Sequence, residues 1–179
     1  MIVVSGEALV DVFDAGPTAT GQMLDARIGG SPLNVAIGLA RLGQPVAFFG
    51  ALGRGFLGER LARALREEAV DTSAMIRVQA PTTLGLVGLD AQGVADYDFY
   101  GHGGADRQLH PADLDRVPAA QAFHFGSYAM VVEPAGSTLR ELARRESSRA
   151  LVSYDVNVRL NVEPDLARWQ AVVQAMLPH

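Results

Sequence analysis

The chain contains no cysteine. That excludes a disulfide framework and any metal site built on thiolates. Basic residues are also outnumbered: 15 Lys and Arg stand against 20 Asp and Glu, a formal net charge of −5. No basic stripe is present, which argues against nucleic acid as the main partner. An anionic small ligand stays open, because local amides and one Arg can hold it. Long apolar runs are missing too. Ile2-Val3-Val4 is too short for a signal peptide, and no stretch approaches the roughly 18 apolar residues of a membrane span. A cytoplasmic location fits these features. The histidines at 102, 110, 124 and 179 show no metal-ligand spacing. Ser5, Ser127 and Ser153 lack a nucleophile elbow, and no Walker A motif occurs.

What is present is an ordinary globular balance. Hydrophobic residues make up 49%, charged residues 20%, and mean hydropathy is +0.13. A chain of 179 residues can bury one real core. Apolar strands are expected at 2–4, 46–49, 122–125 and 150–154, alternating with helices, which argues for a parallel sheet. Ser31 reads as an N-cap with Pro32 at the first helical position. Leu33, Ala36, Ile37 and Ala40 give helical spacing, and Gly43 ends it. Leu57, Leu61 and Leu65 mark a second helix, Leu139, Leu142 and Ala143 a third, and Leu166 to Leu177 a fourth. Segments 9–13, 23–28, 84–89 and 95–100 alternate or pair as hairpins, with Asp90-Ala91-Gln92-Gly93 as a turn signal. They suggest a small separate β layer from two insertions. No internal domain boundary is evident.

Three motifs carry chemistry. Gly53-Arg54-Gly55-Phe56-Leu57-Gly58 matches the dinucleotide fingerprint G-x-G-x-x-G, with Asp71 as the candidate ribose acid. It sits in the second βα unit, however, and Asp71-Thr72-Ser73 reads as a turn, so a plain tight connection competes. The second motif is Gly29-Gly30 leading into the helix that carries Asn34. The glycines let backbone approach a ligand, the helix start offers free N–H groups, and the Asn34 amide both donates and accepts. Asp11 joins it as a carboxylate in an otherwise apolar strand, suited to accept from two neighbouring sugar hydroxyls. A strand-end acid and a simple turn are the bland readings of these residues. The third is Asp155-Val156-Asn157-Val158-Arg159 after a strand, where ligands of parallel sheets gather. Asp155, Asn157 and Arg159 alternate and can face a cleft, with Arg159 able to pair a phosphate or carboxylate; a surface turn is the alternative. His124, in an apolar strand, reads as a satisfied core histidine.

Together these segments resemble the PfkB (ribokinase-like) carbohydrate kinase family. Gly29 to Ala36, Leu39-Ala40-Arg41-Leu42-Gly43, Gly50-Ala51-Leu52-Gly53 and Gly58 look like its first signature. Asp155 to Arg159 and Phe99-Tyr100…Ala105-Asp106 look most like the fructokinase branch. The resemblance covers essentially all of 1–179, but only the family's N-terminal half.

The resemblance implies an α/β fold: a central, mostly parallel sheet flanked by helices, with a small β lid from about 9–28 and 84–100, and the C-terminal part of the fold missing. It implies an ATP-dependent sugar kinase, fructokinase-like, with ketodeoxygluconate kinase or ribokinase as alternatives. Substrate-binding residues would be Asp11, Gly29, Gly30, Asn34, Tyr100, Asn157 and Arg159. Cofactors would be ATP and Mg²⁺, with no residue assigned to hold either. The family's D-T-x-G-A-G-D segment, which carries the base Asp and the anion hole, and its N-x-x-E motif are absent from these residues. No catalytic residue is therefore expected here, and the chain is expected to be inactive alone, from a protein about twice as long. Partners would be a small-molecule sugar and a second copy through the β lid, with no membrane. A non-catalytic sugar-binding or dimerising fragment is the reading from another class, and an NAD-binding oxidoreductase a distant third.

Overall fold

The computed structural model describes residues 1–89 and 95–179; the turn expected at 90–93 lies outside them. In chain order the first elements are β1 (Ile2–Ser5), β2 (Leu9–Pro17), β3 (Gln22–Gly29), α1 (Ser31–Arg41), β4 (Val46–Phe49), β5 (Ala51–Gly53) and α2 (Phe56–Glu67). Then come β6 (Ile76–Val78), β7 (Leu84–Leu89), β8 (Ala95–Tyr100), β9 (Ala122–Gly126), α3 (Ala135–Glu146), β10 (Leu151–Asp155) and α4 (Leu166–Met176).

The four apolar strands form one parallel sheet in the order β10-β9-β1-β4. Successive side chains of a strand point to opposite faces, so the sheet has a core on each side. Val3, Ala47, Phe49, Phe123 and Phe125 meet Leu139 and Leu142 of α3 and Trp169, Val172 and Met176 of α4. Val4, Val46 and Phe48 meet Leu33, Ala36 and Ile37 of α1 and Leu61, Ala62 and Leu65 of α2. The apolar runs of β1 and β4 are explained by this two-sided burial, while β10 lies at the sheet edge with exposed and half-buried residues alternating.

The alternating segments form a second sheet, β3-β2-β7-β8, in which β2 and β7 are parallel and the outer pairs antiparallel. A short parallel pair, β5 and β6, was not expected from the sequence. The helix starts one residue earlier than expected. Gly30, not Ser31, is the N-cap, no side chain caps it, and Asn34 is the fourth helical residue, its N–H bonded to the Gly30 carbonyl at 3.0 Å. Gly30 has φ +106°, and a Cβ there would sit 2.7 Å from the Glu7 carbonyl oxygen; only glycine takes this close approach without strain.

Two of the three fingerprint glycines, Gly53 and Gly58, are used up by packing, while Gly55 has open space around it. A side chain at Gly58 would overlap the Gly53 carbonyl, and one at Gly53 would meet the Ala80 carbonyl at 2.6 Å. Asp71 bridges to Ala47, accepts the Phe48 N–H at 2.9 Å, and turns its carboxylate onto the Ser73 N–H at 2.8 Å. It is a turn residue, as the competing reading held. His124 is half-buried rather than fully satisfied: Nδ1 lies 3.1 Å from Ser153 Oγ, while Nε2 has no partner. Burial lowers its pKa, and Asp155 opposes that.

Candidate sugar site

A cavity of about 710 Å³ opens where the parallel strands end. That volume suits a small-molecule ligand, and the carboxyl ends of parallel strands are where such ligands bind in open α/β sheets. Three loops form its floor. Glu7 follows β1, Ser127 and Tyr128 follow β9, and Asn157 and Arg159 follow β10. Ser127 and Asn157 both take positive φ, +59° and +37°. Such backbone is uncommon outside glycine and gathers at functional sites. The two residues hold each other, Asn157 Nδ2 donating to Ser127 Oγ at 3.2 Å.

Helix α1 and the second sheet complete the walls. Gly30, Ser31, Asn34 and Val35 come from the helix start, Leu9 and Asp11 from β2, and Tyr97 and Phe99 from β8. The Asp11 carboxylate fills space left empty by glycines on both neighbouring strands. A Cβ at Gly29 would overlap it, and one at Gly85 would lie 3.0 Å from Oδ1. Burial raises the Asp11 pKa, and the Arg159 guanidinium opposes that. The ring of Phe99 stacks on Tyr97 at 6.1 Å and meets Tyr128 edge-on at 6.3 Å. Asn161 Nδ2 donates to the Tyr97 carbonyl at 3.2 Å, tying the loop after β10 to this aromatic wall.

Of the seven residues expected to bind substrate, five line this cavity: Asp11, Gly30, Asn34, Asn157 and Arg159. Gly29 supports Asp11 from behind. Tyr100 does not line it; its side chain is 62% exposed, because Tyr97 and Phe99 take the inward positions of β8 and alternation turns Tyr100 out. Asp155 ends its strand exposed and stays out of the cavity as well. Asp106 is buried and accepts from Thr83 Oγ1 and from Tyr128 OH at 2.9 Å; it braces the floor rather than touching the cavity. Sequence reasoning missed Glu7, Ser127, Tyr128 and Tyr97. The position of Glu7 directly after an apolar strand was the available signal.

Among the described residues no group of three or more acidic or imidazole side chains gathers for a metal, and Gly53 and Gly58 are taken up by packing. No described helix is long and apolar enough to cross a membrane.

Comparison with known proteins agrees with this geometry. Residues 1–179 match the family model described as pfkB family carbohydrate kinase. A fructokinase of Rhizobium leguminosarum bv. trifolii is 34% identical over 177 residues, covering 98% of this chain and 54% of that protein. The crystal structure of fructokinase from Xylella fastidiosa superposes with a TM-score of 0.87 at 29% identity, covering 97% of this chain and 57% of that one. Fructokinase from Vibrio cholerae O395, in its fructose, ADP and calcium ion bound form, gives 0.79 at 25% identity, covering 98% and 56%. The chain thus spans about half the length of the relatives it matches, with the ribokinase-like arrangement of a parallel sheet flanked by helices. It belongs to the pfkB family of carbohydrate kinases.

Proposed function

We propose that this chain forms the sugar-holding side of a carbohydrate kinase site, with D-fructose as the first-choice ligand. The observation that carries it is the placement of Asp11 and Asn34 around one cavity, beside the glycine-started helix α1. A carboxylate and an amide so placed offer two acceptors and a donor to adjacent hydroxyls. The Tyr97 and Phe99 rings supply an apolar wall for the C–H face of a sugar and shield it from water, as a lid would. The names of the relatives favour fructose. Arg159 supports a second reading: its guanidinium reaches only the Val158 carbonyl, at 3.2 Å, among the described residues. It is therefore available to a carboxylate, which a ketodeoxy acid carries and fructose lacks.

MgATP, when bound to a kinase of this family, supplies the phosphoryl group. We assign none of the described residues to hold it; the part we give them is to bind, orient and shield the sugar. We expect the 179-residue chain to take up sugar without turning it over. Calorimetric titration with D-fructose and with 2-keto-3-deoxygluconate separates the two ligands, and a coupled assay with MgATP tests turnover. The apolar Met23 and Leu24 on β3 and Tyr100 on β8 are more than half exposed and suit pairing of two copies through the second sheet. Light scattering that finds only monomer removes that part of the proposal.

A further inference from the structure

Glu7 is 1% exposed, yet it borders the cavity, and its Oε2 has no hydrogen-bond partner among the described residues. A buried polar atom left without a partner is uncommon and calls for an explanation. Its surroundings do not provide one. Ser127 Oγ accepts from Asn157 and keeps its own O–H for the Glu7 carboxyl, and the backbone N–H groups of Glu7 and Ala129 also donate to that carboxyl, yet Oε2 stays without a partner. Asp106, the other buried acid nearby, already accepts from Thr83 and Tyr128. One acid of this floor is satisfied within the protein, and the other is not.

We propose that Glu7 is a positioning residue whose Oε2 pairs with a hydroxyl of the bound sugar. This rests on the sugar-binding reading of the same cavity. Burial pushes the Glu7 carboxyl up to about 8, and the nearby Asp106 acts in the same direction. At neutral pH it is an acid that donates its O–H; burial raises Asp11 as well, but there the Arg159 guanidinium opposes the rise, and no such cation acts on Glu7. The two carboxyls make opposite demands on the ligand. Asp11 takes a hydroxyl hydrogen, and Glu7 gives one to a hydroxyl oxygen. A deoxy sugar lacking that hydroxyl leaves Glu7 unpaired and is rejected.

The other titratable groups that act on Glu7 or are acted on by it are Asp106, Tyr128 and Tyr154. Tyr128 is raised well above its ordinary value and Tyr154 to about 12, so neither titrates with Glu7. Asp106 is raised by burial, which makes a Glu7 variant the necessary control.

The experiment is calorimetric titration of D-fructose into the full chain and its E7Q and E7M variants from pH 6.5 to 9.5, with circular dichroism to verify folding. Gln keeps a neutral donor, and Met keeps volume without polarity. The expected result is a wild-type affinity that falls about tenfold or more above pH 8, with E7Q staying flat and E7M weaker by about tenfold at pH 7. Binding by folded E7M equal to wild type, or the same pH profile in wild type and E7Q, overturns the role of Glu7 while leaving the sugar site standing. If E7M does not fold, the E7Q profile decides. A wild type that takes up fructose at no pH overturns the sugar reading and the role of Glu7 with it.

Discussion

The carboxylate of Asp11 occupies the space that a side chain at Gly29 would fill. The glycine gives the acid room to face the cavity. Replacing it with alanine should turn Asp11 away while leaving the fold intact. We predict that G29A and D11N each weaken sugar binding by about tenfold or more, since hydrogen bonds to a charged group are worth about 1.5–3 kcal/mol. The double variant should be little worse than either single one, because both remove the same contact. Full additivity in a calorimetric double-mutant cycle would show that Gly29 acts otherwise.

Two buried glutamates should give opposite pH signatures. Burial raises Glu7 from 4.5 to about 8. The folded state then holds a proton that the unfolded state has released, so stability falls as pH rises from about 4.5 to 8. The slope from this one group approaches about 1.4 kcal/mol per pH unit. Chemical denaturation between pH 5 and 8 should show it in the wild type and not in E7Q.

Glu146 behaves the other way. Its side chain is 1% exposed and is paired with Arg145 and Arg149. Hydrogen bonding from Arg149, then Arg145, outweighs burial and lowers its pKa. Its contribution is present above the ordinary carboxylate range and is lost as pH falls through the lowered value. E146Q should cost about 1–3 kcal/mol at pH 7 and much less in acid. An equal loss at both pH values would mean that packing, not charge, explains the site.

The contact from Asn161 to the Tyr97 carbonyl should hold the aromatic wall over the cavity. One neutral hydrogen bond is worth about 0.5–1.5 kcal/mol. We predict a loss of sugar affinity of about two- to tenfold in N161A, with faster amide exchange in β8. Unchanged exchange there would remove the strap from the account.

The sequence made the inner part of the central sheet legible because β1 and β4 are buried on both faces and read as apolar runs, whereas β10 at the edge alternates exposed and half-buried residues. Asp11, Asn34 and Arg159 were legible because polar side chains in apolar or glycine-rich settings stand out. That Tyr100 stands off the cavity wall was not legible, because alternation fixes which residues share a face of β8 but not which face looks inward; pairing with β7 decides that. The three-residue strands β5 and β6 are too short to show a period. Glu7 was not singled out in the sequence, where it stands two residues beyond β1. Its burial comes from chain that returns much later, at Ser127 and Ala129, and no local pattern carries that information.

Calorimetric titration of D-fructose into the 179-residue chain at pH 7, beside D11N, tests the central claim most directly. The account predicts saturable one-to-one binding that D11N weakens by about tenfold or more. Absence of binding by the wild type, or equal binding by D11N, would contradict it.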